Sequence, residues 1–218
     1  MIDDSIPFNP LDRRNLQASV AEALLSRSVY SLGELPVFQG AGIYVIYYSG
    51  GFSAYAELAN RNLNNQFTAP IYIGKAVHAG ARRGGGMEEG DTTRKPLFSR
   101  LSEHAESIRS VENLDLREFH CRFLVVDDIW IPLGESLLIG RFSPVWNAII
   151  DGFGNHDPGS GRYGGMRPRW DVLHPGRTWA ARCRERPESP DDIARDVATY
   201  LRNAHYPVST RFIGIDQS

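Results

Sequence analysis

Cysteine is scarce. Cys121 and Cys183 are the only two in 218 residues, far apart and without the paired spacing of a zinc site or the density of a disulfide scaffold. Free thiols are the expected state, and packing rather than cross-linking must hold the fold. Long apolar runs are also missing, since no stretch approaches the roughly 20 residues of a membrane span. The opening MIDDSIPFNP carries acidic residues where an export signal needs a basic start followed by an apolar segment, so a cytoplasmic location and no membrane partner are expected. There is no excess of basic charge: 24 Lys and Arg stand against 26 Asp and Glu, a formal net charge of −2, and the overall charge gives no sign of a polyanionic partner. Internal repeats and low-complexity tracts are lacking, which excludes solenoids and fibrous chains.

What remains is the composition of an ordinary globular protein, 42% hydrophobic and 23% charged, long enough to bury one core with elaborations. Residues 15–26, NLQASVAEALLS, place Leu16, Val20, Ala23 and Leu24 at helical spacing and predict an amphipathic N-terminal helix. GIYVIYY at 42–48 and PIYIG at 70–74 are rich in β-branched and aromatic residues between turn formers, so they read as two strands that pair. The polar insert between them has helical potential. Residues 76–96 hold five glycines among charges and predict a surface loop. A helix then starts near Leu97, with Leu97, Leu101, Ala105 and Ile108 as its buried stripe. FHCRFLVVDD predicts a third strand, ESLLIGRF a short helix stopped by Pro144, and SPDDIARDVATYLRNAH a helix capped by Ser189.

Charge is unevenly distributed. Between 162 and 186 lie seven arginines against Asp171 and Glu185, a local excess of five positive charges that reads either as a phosphate-facing surface or as scattered solvated side chains. The glycine segment GARRGGG lacks the Lys-Ser/Thr ending of a P-loop and the spacing of a dinucleotide fingerprint, so no nucleotide cofactor is expected.

Polar residues that mean little singly form an ordered set. Tyr44 and Tyr72 sit in apolar strands; Arg100 and His104 share a helix face, offset from the apolar stripe; Glu135 opens a later helix, and Asn147 follows Pro-Val-Trp. GIY at 42–44, YIG at 72–74, then Arg100 with His104, Glu135 and Asn147 resemble the signature of the GIY-YIG nuclease superfamily, in its order. The likeness runs from Phe38 to Asn147. It extends less sharply into DGFGNHDPGSGRYG and WDVLHPGR, which resemble stretches of type II restriction endonucleases that cut CCGCGG.

That resemblance implies an α+β fold, a small central antiparallel sheet flanked by helices. It divides the chain into an N-terminal helical extension at 1–37, a catalytic core at 38–150 and a DNA-contacting or dimerisation extension at 151–218, all within one compact domain. It further implies a Mg2+-dependent endonuclease acting on double-stranded DNA, with Mn2+ able to substitute, and a homodimer, because a palindrome needs one cut in each strand. In the implied roles Tyr44 is the general base, His104 titrates near neutrality and takes its proton, Tyr72 holds water or phosphate, Arg100 stabilises the transition state, Glu135 binds the metal and Asn147 orients these groups. Lys75 is a further candidate, either for lowering the tyrosine pKa or for contacting DNA. Other DNA-contact candidates are Arg82, Arg83, Arg94 and Lys95 in one loop and Asn155, His156 and Arg162 in another. A structure-specific or repair nuclease with the same core, and a non-catalytic DNA-binding protein of the same fold, are the alternatives.

Overall fold

The computed structural model describes residues 9, 11–78, 95–157, 159 and 163–204. Its centre is a four-stranded antiparallel sheet, ordered β1-β4-β2-β3, of β1 (Tyr30–Ser31), β2 (Gly42–Tyr48), β3 (Pro70–Ala76) and β4 (Phe119–Val125). The α+β architecture is as expected. All seven residues of β2 are buried because helices cover both faces of this central strand, and so it reads as an unbroken apolar run. Tyr44, Ile46 and Tyr48 face one core with α3 (Pro96–Arg109) and α7 (Pro190–Asn203); Ile43, Val45 and Tyr47 face a second core with α1 (Arg13–Leu25) and α4 (Ile131–Phe142).

The predicted pairing of the first two strands is present, with Tyr44 opposite Gly74 and Val45 opposite Ile73. Between them the longer insert forms α2 (Ala56–Asn60) flanked by single helical turns. Buried Asn62 ties it down: its Nδ2 donates to the carbonyls of Tyr48 and Ala69, each at 2.8 Å, and its Oδ1 accepts from Ala69 N at 3.0 Å.

The predicted stripe of α3 is buried, joined by His104. α7 begins with the expected Ser189 cap, completed by Asp192 as a reciprocal capping box. Some elements differ from the sequence reading. The Tyr30–Ser31 strand is too short to show alternation and was not foreseen. α4 starts at Ile131, not at Glu135, because Pro132 falls in its first turn, where proline's missing N–H costs nothing. Glu135 therefore sits one turn inside the helix. Short helices α5 (Val145–Ala148) and α6 (Arg169–Leu173) complete the chain, and both cysteines are free and buried. Among the described residues no helix is long and apolar enough to cross a membrane.

Candidate active site

Tyr44 lies across β3 where β3 has no side chain. A Cβ on Gly74 would stand 2.4 Å from the Tyr44 hydroxyl oxygen, so the last glycine of the YIG triplet is required by close approach of the phenol. From there the Tyr44 hydroxyl meets His104 Nε2 at 2.6 Å, and each residue is only 1% exposed. The imidazole is sandwiched. Phe153 stacks on it at 4.5 Å and 15°, while Tyr72 meets it edge-on at 5.3 Å and also touches Phe153 at 5.0 Å.

Arg100 stands one turn before His104 on α3. Its Nη2 donates to the Gly154 carbonyl at 2.8 Å, and its Nη1 to Glu103 Oε2 at 2.8 Å and His156 Nε2 at 2.6 Å. A Cβ on Gly154 would be 3.0 Å from Arg100 Nη2 and 3.1 Å from the Tyr72 hydroxyl, so the loop backbone packs directly against both polar heads. Asn147, on α5, uses its whole amide: Oδ1 accepts from Ile73 N at 2.8 Å and Nδ2 donates to Ile73 O at 2.9 Å. It thereby fixes the outer edge of β3 between Tyr72 and Gly74. Glu135 reaches in from α4 and pairs with Lys75 Nζ at 2.6 Å.

Burial sets the protonation states. It holds the Tyr44 phenol well above its ordinary range, assisted by Tyr72 and opposed by Arg100. It also raises Tyr72, with the Arg100 charge acting against it and that of Glu135 adding to it. His104 is pushed well below the usual imidazole range, first by burial and then by the positive field of Arg100. The expectation that His104 titrates near neutrality is thus corrected, since no water reaches the ring to solvate an imidazolium. These shifts favour a neutral phenol hydrogen-bonded to a neutral imidazole. The cation opposing the rise of Tyr44 is Arg100, and Lys75 is engaged with Glu135 instead.

Glu135 offers a hard oxygen donor. One partly exposed carboxylate already faces a positive partner, and no group of three or more His, Cys, Asp or Glu occurs among the described residues. A single oxygen ligand with water and phosphate completing the shell suits Mg2+, whereas Zn2+ would ask for a preformed cage.

A model of the Eco29kI GIY-YIG domain, a restriction endonuclease family, matches residues 36–201. The chain belongs to this family. No curated protein matches it.

As a GIY-YIG nuclease of the restriction type, the protein acts on DNA as an endonuclease. Of the sequence-predicted DNA contacts, Arg82, Arg83, Arg94 and Arg162 lie outside the described residues. Lys95 is exposed at the start of α3, Asn155 and His156 are exposed on the loop after Phe153, and Lys75 is held by Glu135. Much of the arginine-rich stretch is engaged within the fold. Arg169 pairs with Glu188 and Asp196, Arg186 with Glu188, Arg167 donates to the Ala180 carbonyl, and Arg177 is buried against Asp171. Arg182 pairs with Asp157 and is exposed, as is Arg184. Counting charge missed this because it ignores the carbonyls and acids that the fold brings alongside.

Phe153, Gly154 and Glu103 touch the site, yet none was singled out from the sequence. The only signal for the first two was the glycine pair flanking an aromatic in DGFGNH. A cavity of about 800 Å³ beside Phe52, Ser53, Arg109 and Asn113 contains none of the site residues.

Proposed function

We propose that this nuclease is a homodimeric type II restriction endonuclease that hydrolyses both strands of a GC-rich palindrome, with CCGCGG the leading candidate, using Mg2+ or Mn2+. The observation that carries this reading is the buried 2.6 Å Tyr44–His104 hydrogen bond standing beside Arg100 and within the field of Glu135. That constellation would supply a base, a proton acceptor, a phosphate clamp and a metal ligand within one neighbourhood of the fold.

The attacking water gives its proton to the Tyr44 oxygen as Tyr44 gives its own to His104 Nε2, so no free tyrosinate has to exist in the buried site. The incoming phosphate helps. Its negative charge beside Arg100 offsets the positive field that depresses His104 and so favours the imidazolium at the moment it is needed. Arg100 turns its planar donors from Glu103 and His156 to the phosphoryl oxygens, where charge builds up in the transition state. Tyr72 holds water or phosphate through its hydroxyl, and Asn147 keeps its strand in place. Glu135 would hold the metal, which when bound would supply Lewis acidity to the reacting phosphate. Lys75, Lys95, Asn155 and His156, with Arg82, Arg83, Arg94 and Arg162, are proposed to meet DNA, and residues 151–218 to contribute to DNA and dimer contacts in a cytoplasmic enzyme.

The test is digestion of a sequenced plasmid with Mg2+ and with EDTA, followed by mapping of the ends. Discrete bands with identical ends at one palindrome are expected, abolished by EDTA and by Tyr44→Phe, Arg100→Ala, His104→Ala or Glu135→Ala, while gel-shift binding persists. Cleavage at scattered or structure-dependent positions would favour a repair-type nuclease. Normal cutting by Glu135→Ala would remove it as metal ligand.

A further inference from the structure

Residues 152–156 lie between two arginines. On one side is Arg100; on the other is Arg177, which is 6% exposed and far from Arg100 in sequence. A guanidinium has five N–H donors. In Arg177 all are spent: Nε and Nη2 grip the two oxygens of Asp171 at 2.6 Å each, Nη2 also reaches Gly152 O at 2.9 Å, and Nη1 serves Phe153 O and Asn155 O at 3.1 Å each. Trp170 and Trp179 contact the guanidinium at 4.4 and 4.8 Å. The one carbonyl of 152–155 that Arg177 does not take is that of Gly154, and it faces the other way, onto Arg100 Nη2 at 2.8 Å. Phe153, whose carbonyl Arg177 holds, stacks on His104, and His156 follows directly onto Arg100 Nη1.

The geometry points to Arg177 as a positioning residue for cleavage: with Asp171 it clasps residues 152–155 so that Phe153 sets the plane of His104 and the Gly154 carbonyl sets the guanidinium of Arg100. The clasp rests on Arg100 and His104 being the cleavage groups, as proposed above. It acts through the loop backbone and touches no substrate. Arginine is required. A lysine keeps the charge opposite Asp171 but has neither the flat fork nor enough donors for three carbonyls and a carboxylate. A buried ion pair is also a weak source of net stability compared with apolar packing.

The experiment compares Arg177→Lys, Asp171→Asn and Phe153→Leu with wild type for thermal unfolding, duplex binding in Ca2+, and single-turnover plasmid cleavage in Mg2+. Phe153→Leu leaves the clasp in place and removes only the ring that lies on His104, so it remains informative if the clasp variants do not fold. Mispositioning by about 1 Å costs on the order of 100-fold in rate, and a loss of that order is expected for Arg177→Lys with KM and duplex affinity nearly unchanged. For Phe153→Leu a fall of about tenfold is expected, again confined to the rate of cleavage. Folded Arg177→Lys or Phe153→Leu protein that cuts at the wild-type rate would overturn the clasp, as would a loss residing entirely in KM. Arg100→Ala and His104→Ala, run alongside, separate the two readings. If they cut normally the catalytic assignment fails; if they are inactive while Arg177→Lys and Phe153→Leu are normal, only the clasp fails.

Discussion

Adding one methyl group at Gly74 should disable the enzyme without unfolding it. Its Cβ would stand 2.4 Å from the Tyr44 hydroxyl oxygen and 2.6 Å from Cζ, whereas ordinary contact begins near 3.5 Å, so the ring must retreat by about 1 Å. Tyr44 is 1% exposed and its hydroxyl is bonded to His104, so retreat both overpacks the core and breaks that bond. Overpacking costs about 1–3 kcal/mol and the lost hydrogen bond about 1 kcal/mol. At roughly 2–4 °C per kcal/mol for a chain of this size, Tm should fall by about 4–16 °C. Displacing the proposed base by 1 Å should slow single-turnover cleavage about 100-fold. Gly51→Ala is the control, because a Cβ there meets nothing within 4 Å. Both variants would be melted by calorimetry and assayed for plasmid linearisation under excess enzyme. A Gly74→Ala protein that melts and cuts like Gly51→Ala would refute the argument.

Two further outcomes follow from the charges. His174 is buried, bonded to Tyr55 at 2.6 Å and to Asn113 at 2.9 Å, and burial lowers its pKa to about 3. Its folded pKa lies below the unfolded value of about 6.5, so its contribution to stability is complete above pH 6.5 and is lost as pH falls from there towards 3, by roughly 2 kcal/mol between pH 7 and 5. Urea unfolding at pH 7 and pH 5 should show that His174→Gln is less acid-sensitive than wild type by about this amount; equal sensitivity would show that His174 is protonated in the native state. Glu103 holds Arg100 Nη1 at 2.8 Å in an exposed pair that an incoming phosphate must displace. Such pairs are worth at most about 1 kcal/mol, so Glu103→Gln should tighten duplex binding about two- to fivefold at low salt and less at high salt. Weaker binding by anisotropy would count against it.

How much of this was legible depended on whether the deciding contacts were local. β2 could be read because burial on both faces leaves an unbroken apolar run, α3 because its stripe recurs every three or four residues, and α7 because Ser189 and Asp192 cap it within a single turn. The order of the candidate set could be matched to the family signature, yet its electrostatics could not be read. His104 lies off the stripe of α3, and its burial comes from Tyr44, Tyr72 and Phe153, the last arriving from a distant loop. Arg177 was one cation among seven until Asp171 and three carbonyls were brought around it. β1 was missed because two residues carry no alternation.

Asn147 has a consequence beyond the strand it steadies. By filling both the N–H and the C=O of Ile73, it occupies the middle of the free β3 margin with a side-chain amide, where a neighbouring polypeptide would otherwise continue the ladder. Two copies of this nuclease therefore cannot continue a backbone ladder through Ile73 at that margin.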